Sequence, residues 1–262
     1  MVTALSVNVN KVAWLRNGRG GSQPDVLWAA RTAVEAGAHG ITVHPRPDQR
    51  HIHPSDVEQI GDWLSNRSDI EYNIEGNPFE EPLGDYPGML ALARDARPAQ
   101  VTLVPDSVDQ ITSNRGWAVS IHRRRLGESI AAFKGLGCRV SLFMEPDSDE
   151  FELVRELGAD RVELYTEDFA QAHAAGDFHA TLERYRAAAE RAQALDLGVN
   201  AGHDLSLSNL VDFLTIDDVL EVSIGHALIS DALRYGLDAT VKKYLSCLPA
   251  TETFQLSGDP AQ

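Results

Sequence analysis

The chain has 262 residues, 43% of them apolar, and a formal net charge of −16, which suits one large α/β domain or two small ones. That charge excludes a broad nucleic-acid footprint, because phosphate backbones are repelled on average, yet it leaves small anions open to a locally basic pocket. No window approaches the ~20 apolar residues that span a bilayer, and the N-terminus lacks the pattern of a signal peptide, so a cytoplasmic enzyme without membrane contact is expected.

The first predicted strand covers residues 4–9 and leads into Asn8, Asn10 and Lys11, followed by Arg16, Arg19 and the glycines at 18, 20 and 21. A second, 39–44, ends in His44 and a loop carrying Arg46, Arg50 and His51. Ser55-Asp56-Val57-Glu58 reads as a capping box opening a helix with Val57, Ile60, Trp63 and Leu64 on one side. Strands near 71–75 and 100–104 follow, the former ending in Glu75. Four more are expected near 138–143, 160–165, 197–201 and 221–225, with Phe151, Val154 and Leu157 marking one intervening helix and 178–195 another. The seventh runs into Asn200-Ala201-Gly202-His203-Asp204, and the eighth into Gly225-His226.

One punctuation recurs. A helix ends at Gly37, Gly137 or Gly158, two or three residues pass, and a β-branched run begins. Glycine closes the helix in the left-handed region, and the short loop feeds a parallel strand. Eight such strands predict a single-domain α/β fold, a (β/α)8 TIM barrel over residues 1–250, with 251–262 as a flexible tail. The rival open sheet normally carries a glycine-rich fingerprint after its first strand, and Asn8-Val9-Asn10-Lys11 has no glycine.

Active sites of such barrels lie at the C-terminal ends of the strands, where five strands here end in groups able to do chemistry. Glu75 closes an apolar run, so it needs a donor or a proton; a raised pKa suits acid/base work, and a salt bridge to Arg46 is the structural alternative. His203 is either oriented by Asp204 or merely beside a helix cap. Gly225 stands where a helix starts, a natural seat for an anion. Arg16 and Arg19 form a second basic cluster suited to phosphate, or a solvated loop. His44, His51 and His53 have spacing for a metal, but Arg46 and Arg50 oppose a cation, so no metal is expected. Cys138 and Cys247 are too few for a disulfide framework and contain no CxxC pair; both read as small core fillers.

Taken together, Gly40-Ile41-Thr42-Val43-His44, Arg50-His51-Ile52, Leu103-Val104-Pro105, Val199-Asn200-Ala201-Gly202-His203 and Ile224-Gly225-His226 resemble the pyridoxine 5'-phosphate synthase family. The resemblance implies condensation of 1-deoxy-D-xylulose 5-phosphate with 3-amino-2-oxopropyl phosphate, without cofactor or metal, in a homo-octamer. It implies His44 and Glu75 as proton acceptors and His203 as proton donor. Asn8 and Arg19 match contacts to the amino-ketone phosphate, and Arg46, His51 and Thr112 contacts to the deoxyxylulose phosphate. Gly225, His226 and Asp204 match the remaining ligand positions, and residues 105–118 a covering loop. Two departures stand out: Asn10-Lys11 replaces the family's usual Asp-His, and Asp204 its usual Gly. The expectation is that Lys11 pairs with Asp204. A barrel lyase using Lys11 as a Schiff base, and a non-catalytic phosphate-binding barrel, are the competing readings.

Overall fold

The computed structural model describes residues 3–249; the expected tail at 251–262 lies outside them. Eight strands form one closed, all-parallel barrel in sequence order: β1 (Ala4–Asn8), β2 (Gly40–Val43), β3 (Glu71–Gly76), β4 (Gln100–Leu103), β5 (Arg139–Met144), β6 (Arg161–Tyr165), β7 (Gly198–Gly202) and β8 (Val219–Ile224). Around it run α1 (Asn10–Asn17), α2 (Val26–Glu35), α3 (Pro54–Leu64), α4 (Met89–Ala96), α5 (Val119–Gly135), α6 (Phe151–Glu156), α7 (Glu167–Ala174), α8 (His179–Ala194), α9 (Leu210–Phe213), α10 (His226–Tyr235) and α11 (Leu237–Leu245). The TIM barrel expectation holds. Gly37, Gly137 and Gly158 take φ of 108°, 84° and 89°, the left-handed closures their spacing predicted.

Strand alternation divides the protein into two unlike regions. Leu5, Val7, Ile41, Val43, Ile74, Val101, Leu142, Val162, Val199 and Val222 are fully buried in the core; of alternating parity to the interior side chains, they meet the surrounding helices. The interior positions are polar: Ser6, Thr42, Asn73, Thr102, Ser141, Glu163 and Asn200 are all buried. Most of them pair, as in Ser6···Thr42 at 2.7 Å, Thr102 to Asn73 at 3.2 Å and Asn200 to Gln100 at 3.4 Å, whereas Ser141 Oγ and Glu163 Oε2 have no hydrogen-bond partner among the described residues. Branched apolar residues usually fill such interiors. Here the axis is a hydrogen-bonded polar column, with Arg139, Arg161, Glu71, Gln100 and Glu221 linked near its N-terminal end.

The cap of α3 lies two residues earlier than expected. Pro54 opens the helix, and the Asp56 carboxylate reaches back to accept the His53 N–H at 2.7 Å. Proline favours the first helical position because it has no N–H to lose there, which fixes the start ahead of Ser55. Asp56 also holds buried Arg16, at 2.5 Å to Nη1 and 2.9 Å to Nη2. Replacing Asp56 by Asn removes one charge of a buried pair while leaving the guanidinium inside, so denaturant unfolding should show a loss of about 2 kcal/mol. Cys138 is buried as expected, whereas Cys247 is only partly so.

Candidate active site

A cavity of about 310 Å³ opens at the C-terminal ends of the strands. Of the thirteen positions marked by the resemblance and its departures, twelve line it: Asn8, Asn10, Lys11, His44, Arg46, His51, Glu75, Thr112, His203, Asp204, Gly225 and His226. Arg19 stands apart. It is exposed on the turn after α1, outside the lining, because Arg16 is drawn inward to Asp56 and the chain beyond it runs into solvent.

Glu75 sits on β3 with its carboxylate near three partners: Asn8 Nδ2 at 3.4 Å, Ser223 Oγ at 3.5 Å and His44 Nδ1 at 3.8 Å. It makes no bridge to Arg46, whose guanidinium instead grips Asp106. Burial, reinforced by the negative charges of Asp106 and Glu221, pushes Glu75 up to about 8. Burial and then Arg46 push His44 well below the usual imidazole range. His44 is therefore neutral, and its approaches to Glu75 and to Asp106 at 3.9 Å are proximity rather than ion pairs. An uncharged imidazole beside a protonated carboxyl is a compact proton-handling pair.

His203 is oriented rather than idle. Its Nδ1 meets Asp204 Oδ2 at 2.8 Å and its Nε2 meets Thr112 Oγ1 at 2.9 Å, while Tyr165 packs edge-on at 5.1 Å between centroids. The hydrogen bond from His203 holds the Asp204 carboxyl below the usual range. Both residues have left-handed backbones, φ 74° and 49°. That conformation explains why glycine suits the second position, and Asp is among the few other residues that tolerate it. The expected Lys11–Asp204 pair is absent among the described residues. Asp204 is committed to His203, and the Lys11 ammonium lies 4.7 Å over the Trp14 ring.

Asn10 explains one departure from the family pattern. Its Oδ1 accepts the His44 N–H at 2.8 Å, a task an amide oxygen performs as well as a carboxylate. Lys11 follows in the first turn of α1, its amine lowered by burial and then by Arg46 and Arg50. Burial, then Arg46, Lys11 and Arg50, bring His51 down to about 3. Its Nδ1 accepts from Ile52 N at 3.0 Å, leaving Nε2 to carry the ring proton. His53 caps α3, and among the described residues no group of three His, Cys, Asp or Glu is arranged to hold a metal. Gly225 precedes α10, and a Cβ there would crowd the Asn8 side chain at 3.1 Å.

Several site residues went unrecognised in the sequence. Glu163 on β6 lines the cavity, its Oε2 buried without a hydrogen-bond partner. Burial and then the charge of Glu75 push it well above the carboxylate range, so it holds a proton. Ser223 and Phe143 also line the cavity, and Asp106 anchors Arg46 from the β4–α5 loop. Parity was the available signal for Glu163: it pairs with Asn200 and Phe143 in register, on the interior side.

Comparison with known proteins identifies the family. The family described as "Pyridoxal phosphate biosynthesis protein PdxJ" matches residues 5–250. The chain is 56% identical over 249 residues to pyridoxine 5'-phosphate synthase of Xanthomonas axonopodis pv. citri (strain 306), covering 95% of this chain and 97% of that protein. It is 53% identical over 247 residues to the synthase of Xylella fastidiosa (strain M23), covering 94% and 95%. Among solved structures, the tryptophan synthase A-subunit of Pyrococcus furiosus superposes with TM-score 0.61 at 13% identity over 94% of this chain and 98% of that one. KGPDC of Streptococcus mutans does so with TM-score 0.62 at 10% identity, over 94% and 97%; at such identities the likeness speaks for the barrel alone. A family match over nearly the whole chain, with relatives more than half identical, means that this protein belongs to the PdxJ family.

Proposed function

We propose that the chain is a pyridoxine 5'-phosphate synthase, joining 1-deoxy-D-xylulose 5-phosphate and 3-amino-2-oxopropyl phosphate to give pyridoxine 5'-phosphate, inorganic phosphate and water. The observation that carries this reading is the meeting of His44, Glu75 and His203 in one cavity beside the start of α10. The amine must lose a proton before it attacks the carbonyl, and neutral His44 beside Glu75 accepts it. Loss of water and of phosphate calls for a proton donor, which is His203, held by Asp204 and Thr112. The α10 N-terminus with Gly225 and His226, together with Asn8, takes one phosphate. Lys11, Arg46, His51 and Thr112 take the other substrate. Arg19 reaches the amino-ketone phosphate when its glycine-rich turn folds over the mouth.

Mixing the protein with both substrates should yield pyridoxine 5'-phosphate and inorganic phosphate in equal amounts, and omitting either should yield neither. Tight binding of both without product would leave only a phosphate-binding barrel.

Lys11 serves as a ground-state charge contact. It lies among Arg46, Arg50 and His51 rather than beside a carboxylate, an arrangement that awaits an anion. Lys11→Ala should therefore raise KM for the pentulose phosphate about tenfold and spare kcat, the pattern of a lost uniform contact. A collapsed kcat, with a borohydride-stable substrate adduct on Lys11 in the parent enzyme, would point to imine catalysis.

The same reading makes the enzyme a cytoplasmic homo-octamer. Exposed Leu15, Trp28, Ile121 and Leu233 support an assembly, and its mass in solution tests the count. Among the described residues no helix is long and apolar enough to cross a membrane.

A further inference from the structure

The β4–α5 segment crosses the cavity mouth without regular structure, contributing Ile111, Thr112 and Ser113 to its lining. Two arginines of the β2–α3 loop hold it. Arg46 Nη1 donates to the carbonyls of Gln110 at 2.8 Å and Ser107 at 3.3 Å, and its Nη2 grips Asp106. Arg50, which is not part of the cavity lining, donates from Nη1 to Gln110 at 2.7 Å and Ile111 at 3.4 Å, and from Nη2 to Val108. Its Nε is steadied by Asp48 Oδ2 at 2.7 Å. The turn that brings Asp48 and Arg50 together has Gln49 in the left-handed region, φ 51°. The Gln110 carbonyl accepts from both guanidinium groups, so the lid is doubly fastened at one point.

We propose that Arg50 is the positioning residue that keeps this lid shut while Arg46 is handed over to the substrate phosphate. The hand-over rests on the reading above that Arg46 binds the pentulose phosphate; the latch itself does not. Both Nη1 protons of Arg46 are spent on lid carbonyls, so an arriving anion takes them only at the lid's expense. Anionic oxygens win that exchange, because charge-assisted hydrogen bonds are roughly twice as strong as those to neutral carbonyls. Arg50 faces the lid rather than the cavity, so it retains its carbonyls when Arg46 turns inward. Asp106, released from Arg46, keeps the Ser113 hydroxyl at 2.8 Å. A lid that stays closed through this exchange keeps bulk water from intermediates that must lose water. Lysine cannot replace Arg50, since a point charge lacks the planar fork that spans successive carbonyls.

The test uses the full chain with Arg50→Ala and Arg50→Lys, and with Arg123→Ala as a control that removes an exposed arginine of α5 paired with Glu156. Trypsin cleavage after Arg115, within the lid, reports opening; product formed per pentulose phosphate consumed reports leakage of intermediates. Both Arg50 variants should be cleaved about tenfold faster than wild type and lose about tenfold in kcat/KM, with product yield per substrate falling below one. Arg123→Ala should match wild type. Inorganic phosphate should speed cleavage further in Arg50→Ala, because it draws Arg46 off the lid, and should leave wild type protected. Wild-type lid protection and full yield in Arg50→Ala would overturn the latch. Phosphate that protects the Arg50→Ala lid would overturn the hand-over. An unchanged pentulose phosphate KM in Arg46→Ala would strike the underlying reading of Arg46 and leave the latch standing.

Discussion

Glu75→Gln should lower kcat by about 10³ with little change in KM, within the usual range for a lost general base. Glutamine keeps the size of the side chain; its amide oxygen can still accept from Asn8 Nδ2 while its N–H donates to the Ser223 hydroxyl, which in wild type donates to Glu75. The cavity survives, and what is lost is the ability to take a proton. Because burial and Asp106 raise Glu75 to about 8, only a minority of the resting enzyme carries the ionised base at neutral pH. The sign follows. In wild type, kcat/KM should climb tenfold per pH unit below about 8 and level off above it. His44, held neutral well below that range, adds no second limb there. Asp106→Asn removes the second largest cause of the shift, so the limb should move to lower pH even if the loosened lid lowers the plateau. The charge of Glu75 raises Glu163, so ionising one carboxyl hinders the other and the measured limb belongs to the pair rather than to one residue. Near-wild-type kcat in Glu75→Gln, or a rate independent of pH between 6 and 9, would remove Glu75 from the proton path.

The strands and the strand-end chemistry were legible because barrels present their reactive groups at the places where apolar runs stop. His44, Glu75, His203 and Gly225 all occur there. Glu163 was illegible by that rule, since it lies inside a strand rather than at its end. It could be recognised only by asking which parity of each strand faces the axis. Once Asn73, Glu75 and Asn200 are set inward, the pleat brings Glu163 in with them. Pairings across the mouth were less accessible still. Lys11 and Asp204 have opposite charges after β1 and β7, strands separated only by β8, but Asp204 has a nearer donor in His203 and Lys11 a neighbouring indole one helical turn on. Charge complementarity in a sequence cannot rank competitors that differ by an ångström or two. Nor could it reveal that Arg16 would turn inward to Asp56 while Arg19 faced solvent, because both read equally well as phosphate ligands.

Gly202 lies between these two kinds of legibility, and its substitution should cost more than that of any other glycine in the site. A Cβ at this position would stand 2.3 Å from Glu163 Oε1 and 3.2 Å from the Ser223 carbonyl. Its backbone lies within β7, so the requirement is for space rather than for an unusual conformation. The added methyl must push the Glu163 carboxyl aside by roughly an ångström, away from its place beside Glu75; displacements of that size at a reacting centre cost about 10² in rate. Gly202→Ala should therefore lower kcat about a hundredfold and stability by about 1–3 kcal/mol, the usual penalty of overpacking. His203 follows directly in the chain, so a shifted imidazole is the rival cause. A double-mutant cycle separates the two. If the clash acts through Glu163, Gly202→Ala placed on Glu163→Ala should cost almost no further stability, because the colliding oxygen is gone. If it acts through His203, the two losses should add in full. Wild-type turnover in Gly202→Ala would mean that the Glu163 carboxyl moves freely, and that its place beside Glu75 does not matter to the reaction.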